Sequence, residues 1–144
     1  MSSDIYSLNR FISAQDKVYD YVLLELKNGK KLRHWMWYIF PQIDGLGKSF
    51  KAKMYSIKSL EEAKAYLKHP ILGNRLKECS KIIYELEGKS AKDIFGYIDS
   101  MKLKSSMTLF KYVSEDNSIF EKVLNKYFSN EECNKTKQIL DKTS

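Results

Sequence analysis

Residues 34–49, His34-Trp35-Met36-Trp37-Tyr38-Ile39-Phe40-Pro41-Gln42-Ile43-Asp44-Gly45-Leu46-Gly47-Lys48-Ser49, gather most of the side chains that could do chemistry. Both tryptophans lie here, with one of the two histidines and two of the six glycines. Burial alone does not require that mixture, since Leu and Ile would serve. A binding site would use each part. Indole faces stack on flat heterocycles. An imidazole gives or takes a proton near neutral pH. An amide and a Gly-rich turn supply hydrogen bonds. His34 is therefore a candidate acid or base, and Trp35 and Trp37 are candidate walls. Gln42, Gly45, Gly47, Lys48 and Ser49 are candidate ligand contacts. The run from Gly45 to Ser49 approaches a phosphate-loop pattern, but Gln42 stands where that pattern needs Gly, and no buried parallel strand is predicted before it. A weaker expectation survives: a Gly turn entering a helix start presents free N–H groups to an anion, with Lys48 beside it. A plain tight turn explains the same residues.

The second such stretch is Asp99-Ser100-Met101-Lys102-Leu103-Lys104-Ser105-Ser106-Met107-Thr108-Leu109-Phe110. On a helix, Asp99, Lys102 and Ser106 fall on one side at i, i+3 and i+7. Asp99 is a second candidate proton carrier, and Lys102 and Ser106 are candidate ligand contacts. No Gly-x-Ser-x-Gly elbow or Ser-x-x-Lys order surrounds the serines, which argues against a nucleophile. Acids are absent between Asp44 and Glu61, where Lys48, Lys51, Lys53 and Lys58 occur, and again between Asp99 and Glu115. If these segments flank the aromatic stretch, a positive cleft results. No Cys/His cluster has metal-ligand spacing, so no metal is predicted, and no cofactor is indicated.

The elements that must position these residues read as helices. Helical apolar spacing predicts a helix over 14–28, stopped at Asn28-Gly29, with a shorter helical turn over 5–12 beside it. Residues 31–39 carry strand-favouring side chains but do not alternate, and a short buried helix is the expectation. On such a helix Trp35 and Trp37 diverge by about 200°, so they cannot share a face. Ser59 and Ser118, each followed three residues later by Glu, predict capping boxes. His69-Pro70 breaks one helix and starts another to about Leu86. Ser90 opens a one-turn helix closed by Gly96, Asp99 or Ser100 caps the next to about Val113, and Asn134 starts the last. The expectation is one all-α domain over 1–144, a bundle of about seven or eight short-to-medium helices.

A chain of 144 residues, 43% hydrophobic and 30% charged, is of globular size and composition. No apolar run approaches the roughly 18 residues of a membrane span. The first residues lack a basic-then-apolar signal, and Cys79 and Cys133 are widely spaced, so a cytoplasmic protein with two reduced thiols is expected. The net charge of +7 suits an anionic partner. Of 25 basic residues only Arg10, Arg33 and Arg75 are Arg, however, and base and phosphate readers lean on Arg. This weighs against a dedicated nucleic-acid role.

The set His34-Trp35-Met36-Trp37, Phe40-Pro41-Gln42-Ile43, Gly45-Leu46-Gly47 and Ser49, then Tyr55 and Ile57, then Ala63, Tyr66-Leu67, His69-Pro70, Leu72-Gly73 and Arg75-Leu76, then Asp99, Lys102 and Ser105-Ser106-Met107-Thr108-Leu109-Phe110, resembles the bacterial family known as domain of unknown function 1810. The resemblance spans the chain from about Asn9 to Phe128 and implies a mainly helical, stand-alone domain. It implies no established activity. The order Ala-x-x-Tyr-Leu, Pro, Leu-Gly-x-Arg, then Lys and Met before Leu-Phe is also similar to the NADAR superfamily, which is associated with nicotinamide-nucleotide and ADP-ribose chemistry. That similarity implies a ribose-phosphate ligand, with Lys48 or Lys102 on phosphate and Trp35 or Trp37 under a base. The sequence reading is thus a binder, in one version a hydrolase, of a phosphorylated nucleotide- or ADP-ribose-like molecule. A protein-docking aromatic patch and weak non-specific nucleic-acid binding are the alternatives.

Overall fold

A computed structural model describes residues 4–143. Among them the chain forms nine helices: α1 (Asn9–Asp16), α2 (Tyr19–Lys27), α3 (Met36–Ile39), α4 (Phe50–Met54), α5 (Leu60–Lys68), α6 (Leu72–Glu85), α7 (Ala91–Tyr112), α8 (Ile119–Phe128) and α9 (Asn134–Thr143). The all-α expectation holds, with one or two more helices than predicted. The first boundary falls later than expected, at Lys17-Val18, where Val18 N–H closes a turn on Gln15 O, so residues 14–16 end α1 and the expected 14–28 helix begins only at Tyr19. The expected turn over 5–12 becomes α1, shifted later, because the Asp4 carboxylate accepts the Leu8 and Asn9 N–H groups and so caps it there.

Helix ends follow local chemistry. Ser49, Ser59, Ser90 and Ser118 are N-caps, each accepting an N–H three residues on. The reciprocal capping box forms at Ser90 and Asp93. At the two predicted boxes the acids reach one residue further back: Glu62 accepts from Lys58 N–H and Glu121 from Asn117 N–H. Pro70 interrupts the α5–α6 pair, and His69 Nδ1 accepts the Ile71 and Leu72 N–H groups at the new helix start.

Gly96 breaks the first turn of α7 from the rest, with φ of 78° and ψ of 169°, a conformation open to Gly. Just before it, Ile94 O accepts the Lys31 N–H at 2.7 Å, so the bend stitches the α2–α3 connection onto α7. The predicted cap at Asp99 or Ser100 is therefore replaced by a break three residues earlier, and Ser100 Oγ donates to Tyr97 O instead.

One apolar core runs through the domain. α7 and α6 pack against α8, α2 and α5 pack on α6, and α1 packs on α3. Phe11, Tyr66, Phe110 and Phe120 form a chain of ring contacts through its centre. Trp35, Phe40 and Phe95 form a second cluster under the α2–α3 connection. No helix among the described residues is long and apolar enough to cross a membrane.

Candidate functional site

The α2–α3 connection is held from below by Glu25. Its carboxylate is 2% exposed. Oε1 accepts the Leu32 N–H at 2.7 Å, the Arg33 N–H at 3.1 Å and the Trp35 indole N–H at 2.8 Å, while Oε2 accepts from the Arg33 guanidinium at 2.7 Å. Burial pushes this carboxyl up, but the four donors outweigh it and hold it down at about 2. The sequence reading passed over Glu25. Its only trace was an acid inside the apolar run Val22-Leu23-Leu24-Glu25-Leu26.

The clamp turns the two indoles apart, as their spacing required. Trp35 is fully buried, bonded to Glu25 and packed on Phe40 and Phe95. Its expected place on a cleft wall is corrected: its one polar atom is satisfied inside the core. Trp37 lies at the surface, partly buried, and marks the site.

Two helices from distant parts of the chain meet at Trp37. Lys51 of α4 puts Nζ 5.2 Å from the indole centroid, and Lys102 of α7 puts Nζ 5.4 Å from it. The condition posed from the sequence, that the two lysine-rich segments flank the aromatic stretch, is met at Trp37 by Lys51 and Lys102. Each cation–π contact is worth about 0.5–1 kcal/mol at an exposed site. Lys102 also pairs with Asp99 at 3.5 Å, and Asp99 takes Lys31 Nζ at 2.8 Å. Lys51 has no carboxylate partner among the described residues. The hollow between these elements is lined by Met36, Trp37, Phe40, Gln42, Ala52, Tyr55 and Lys102. Its volume is about 10 Å³, room for roughly one water.

The Gly loop supports this arrangement from the side. Asp44 N–H donates to Ile57 O and Ile57 N–H to Gln42 O, each at 2.8 Å, pairing 42–44 with 57 as a single parallel bridge. Arg10 ties the far end of α4 down, donating to Met54 O and Ser56 O at 2.8 Å and to the Glu62 carboxylate at 2.7 Å. Gly47 lies so close to α4 that a Cβ there would stand 2.4 Å from Ala52 Cβ. Gly45 has a φ of 105°. Ser49 Oγ accepts the Ala52 N–H at 3.1 Å, so one free donor expected of an anion-holding turn is already used. α4 has only five residues, and its end carries little dipole. Lys48 is exposed on this loop.

The remaining predicted residues divide. Gln42 and Lys102 share the hollow with Trp37, and Asp99 joins them through Lys102. His34 is exposed on the clamped connection, where its carbonyl accepts the Tyr38 hydroxyl at 3.2 Å. Ser106 is fully buried one turn beyond Lys102, and its Oγ has no hydrogen-bond partner among the described residues. Its expected place on an open polar stripe is corrected: the α7 face dives into the core past Lys102. No group of His, Cys, Asp and Glu among the described residues has the make-up of a metal site. Cys79 and Cys133 are free thiols, and burial pushes Cys79 up to about 12.

A far larger cavity lies elsewhere, in a groove of about 760 Å³ between the α5–α6 corner and the α7–α8 connection. No residue singled out as a ligand or catalytic candidate lines it.

The fold and sequence have known counterparts. The chain is similar to the conserved hypothetical protein Rv1873 from Mycobacterium tuberculosis, whose crystal structure superposes with a TM-score of 0.94 at 46% identity, covering 96% of this chain and 99% of that one. A comparison with curated proteins found no match. Residues 5–140 match the family described as "Protein of unknown function (DUF1810)", and the chain belongs to that family.

Proposed function

We propose that the Trp37 face binds a phosphorylated, nucleotide- or ADP-ribose-like small molecule, with the indole under the base and Lys51 and Lys102 on the phosphates. The observation that carries this reading is the convergence of two ammonium groups from separate helices on one partly exposed indole. The similarity of residue order to the NADAR superfamily supports it.

Lys102 lines the hollow, Lys51 lies over the same indole, and lysine stems are flexible. A ligand phosphate exchanges two weak cation–π contacts for charge-assisted hydrogen bonds, which are the stronger interaction. Swinging both lysines outward exposes the indole, and moving Lys102 enlarges the hollow. Asp99 then serves as the anchor that keeps Lys102 at the site, and Lys48 extends the positive rim. His34 is the residue left free for proton transfer.

Thermal denaturation with a panel of nucleotides and ADP-ribose tests this. At least one phosphorylated compound raises the melting temperature and quenches tryptophan emission, and Trp37→Ala and Lys51→Ala/Lys102→Ala lose the effect. A shift retained in both variants rules the Trp37 face out.

A second reading rests on the small volume of the hollow and on Phe50, 81% exposed next to Lys51. A flat, basic surface with aromatic anchors suits an acidic segment of a partner protein. A protein that melts at one temperature with every compound leaves the site to that reading.

A further inference from the structure

We propose that the groove between the α5–α6 corner and the α7–α8 connection is a second binding site, for a small organic anion: a phosphate or carboxylate group on an apolar body. Its volume of about 760 Å³ falls within the roughly 300–1,000 Å³ of small-molecule pockets.

The groove is charged on one side and apolar beneath. α6 presents Asn74, Lys77 and Lys81 at i, i+3 and i+7, one polar stripe along the wall, and Lys68 adds a third ammonium from the end of α5. None of these lysines forms an ion pair among the described residues. Glu115 and Asp116 stand exposed in the same groove and still leave them unpaired. The lysines and the two acids leave one net positive charge. Leu67, Val113 and Phe120 provide apolar lining.

Beside its two carboxylates, the opposite wall carries backbone donors without acceptors. The ten-residue helix α8 begins there at Ser118. Ser118 Oγ satisfies only the Glu121 N–H, and the Ile119 and Phe120 amides have no helical acceptor. Independently, Ser114 Oγ at the edge of the groove is shielded from solvent and has no hydrogen-bond partner among the described residues. His69, at the corner, accepts two backbone N–H groups on Nδ1, so its neutral form carries the proton on Nε2, a further donor. Ammonium groups, amides and an imidazole N–H around apolar lining fit an oxyanion attached to a hydrophobic body.

Phenyl phosphate is the probe, titrated into the whole protein by calorimetry, with inorganic phosphate, benzoate and neutral phenol alongside. Phenyl phosphate binds, benzoate more weakly, and inorganic phosphate weaker still for want of the apolar body. Lys77→Ala/Lys81→Ala weakens binding at least about tenfold, the loss expected when charge-assisted hydrogen bonds go. Lys77→Arg/Lys81→Arg retains most of it. All four substitutions are on exposed side chains, and unchanged melting temperatures without ligand confirm the fold. Lys51→Ala/Lys102→Ala leaves this binding intact, which separates the groove from the Trp37 face: either site can fail while the other stands. Phenol binding as well as phenyl phosphate, equal loss in the Lys51/Lys102 variant, or no heat up to about 10 mM overturns the proposal.

Discussion

Glu25→Gln removes the charge from a carboxylate that holds the whole α2–α3 connection, and its cost can be worked from the structure. The group titrates at about 2 when folded, against an ordinary value of 4.5. At about 1.36 kcal/mol for each pH step between those values, the folded state gains about 3 kcal/mol from this ionisation at neutral pH. The sign follows from the depressed value. The stabilisation is fully present above about pH 4.5 and fades as pH falls through 4.5 toward 2. Gln keeps the shape but offers one acceptor oxygen, and its NH₂ faces either the Arg33 guanidinium or three N–H donors. Denaturant unfolding of wild type and variant, at pH 7 and pH 3, isolates the group, because the other acids cancel in the difference. A loss of about 3 kcal/mol at pH 7 should shrink to about 1 kcal/mol at pH 3. A gap below about 1 kcal/mol at pH 7, or one that stays constant with pH, refutes the reasoning.

Two further outcomes follow from the same packing. Ser106→Ala removes a fully buried hydroxyl without a partner and places the best helix former in mid-helix, so it stabilises by about 1 kcal/mol, read as a raised unfolding midpoint; a lowered midpoint means the hydroxyl is bonded after all. Gly47→Ala sets a Cβ 2.4 Å from Ala52 Cβ, so the loop must lift from α4 at a cost of about 1–3 kcal/mol, with a change in Trp37 emission; a variant as stable as wild type with an unchanged spectrum contradicts the close approach.

Much of the fold was legible because helix ends are local. Ser59, Ser90 and Ser118 each cap within three residues of themselves, Gly96 breaks a helix through its own φ, and Pro70 acts on its neighbour. The divergence of Trp35 and Trp37 was equally a matter of helical arithmetic, since two residues turn a helix by about 200°. The meeting of the aromatic stretch with the Lys102 face was foreseen only as a condition. It depends on α3, α4 and α7 packing together across some sixty residues of sequence.

Other features were decided by tertiary contacts alone. Periodicity cannot say that Glu25 is buried with four donors around it, because all four come from residues seven to ten positions away on a connection with no regular pattern. It could not show that Ser106 sits inside the core while Lys102, one turn earlier on the same face, reaches solvent. The groove beside Lys77 and Lys81 is invisible in sequence, since its two walls lie more than thirty residues apart and meet only where α6 and α7 pack on α8. Residue types along the chain thus determined the helices, their ends and the unequal fates of the two indoles. Which side chains face one another, and how much space is left between them, was decided by long-range packing, which no local pattern encodes.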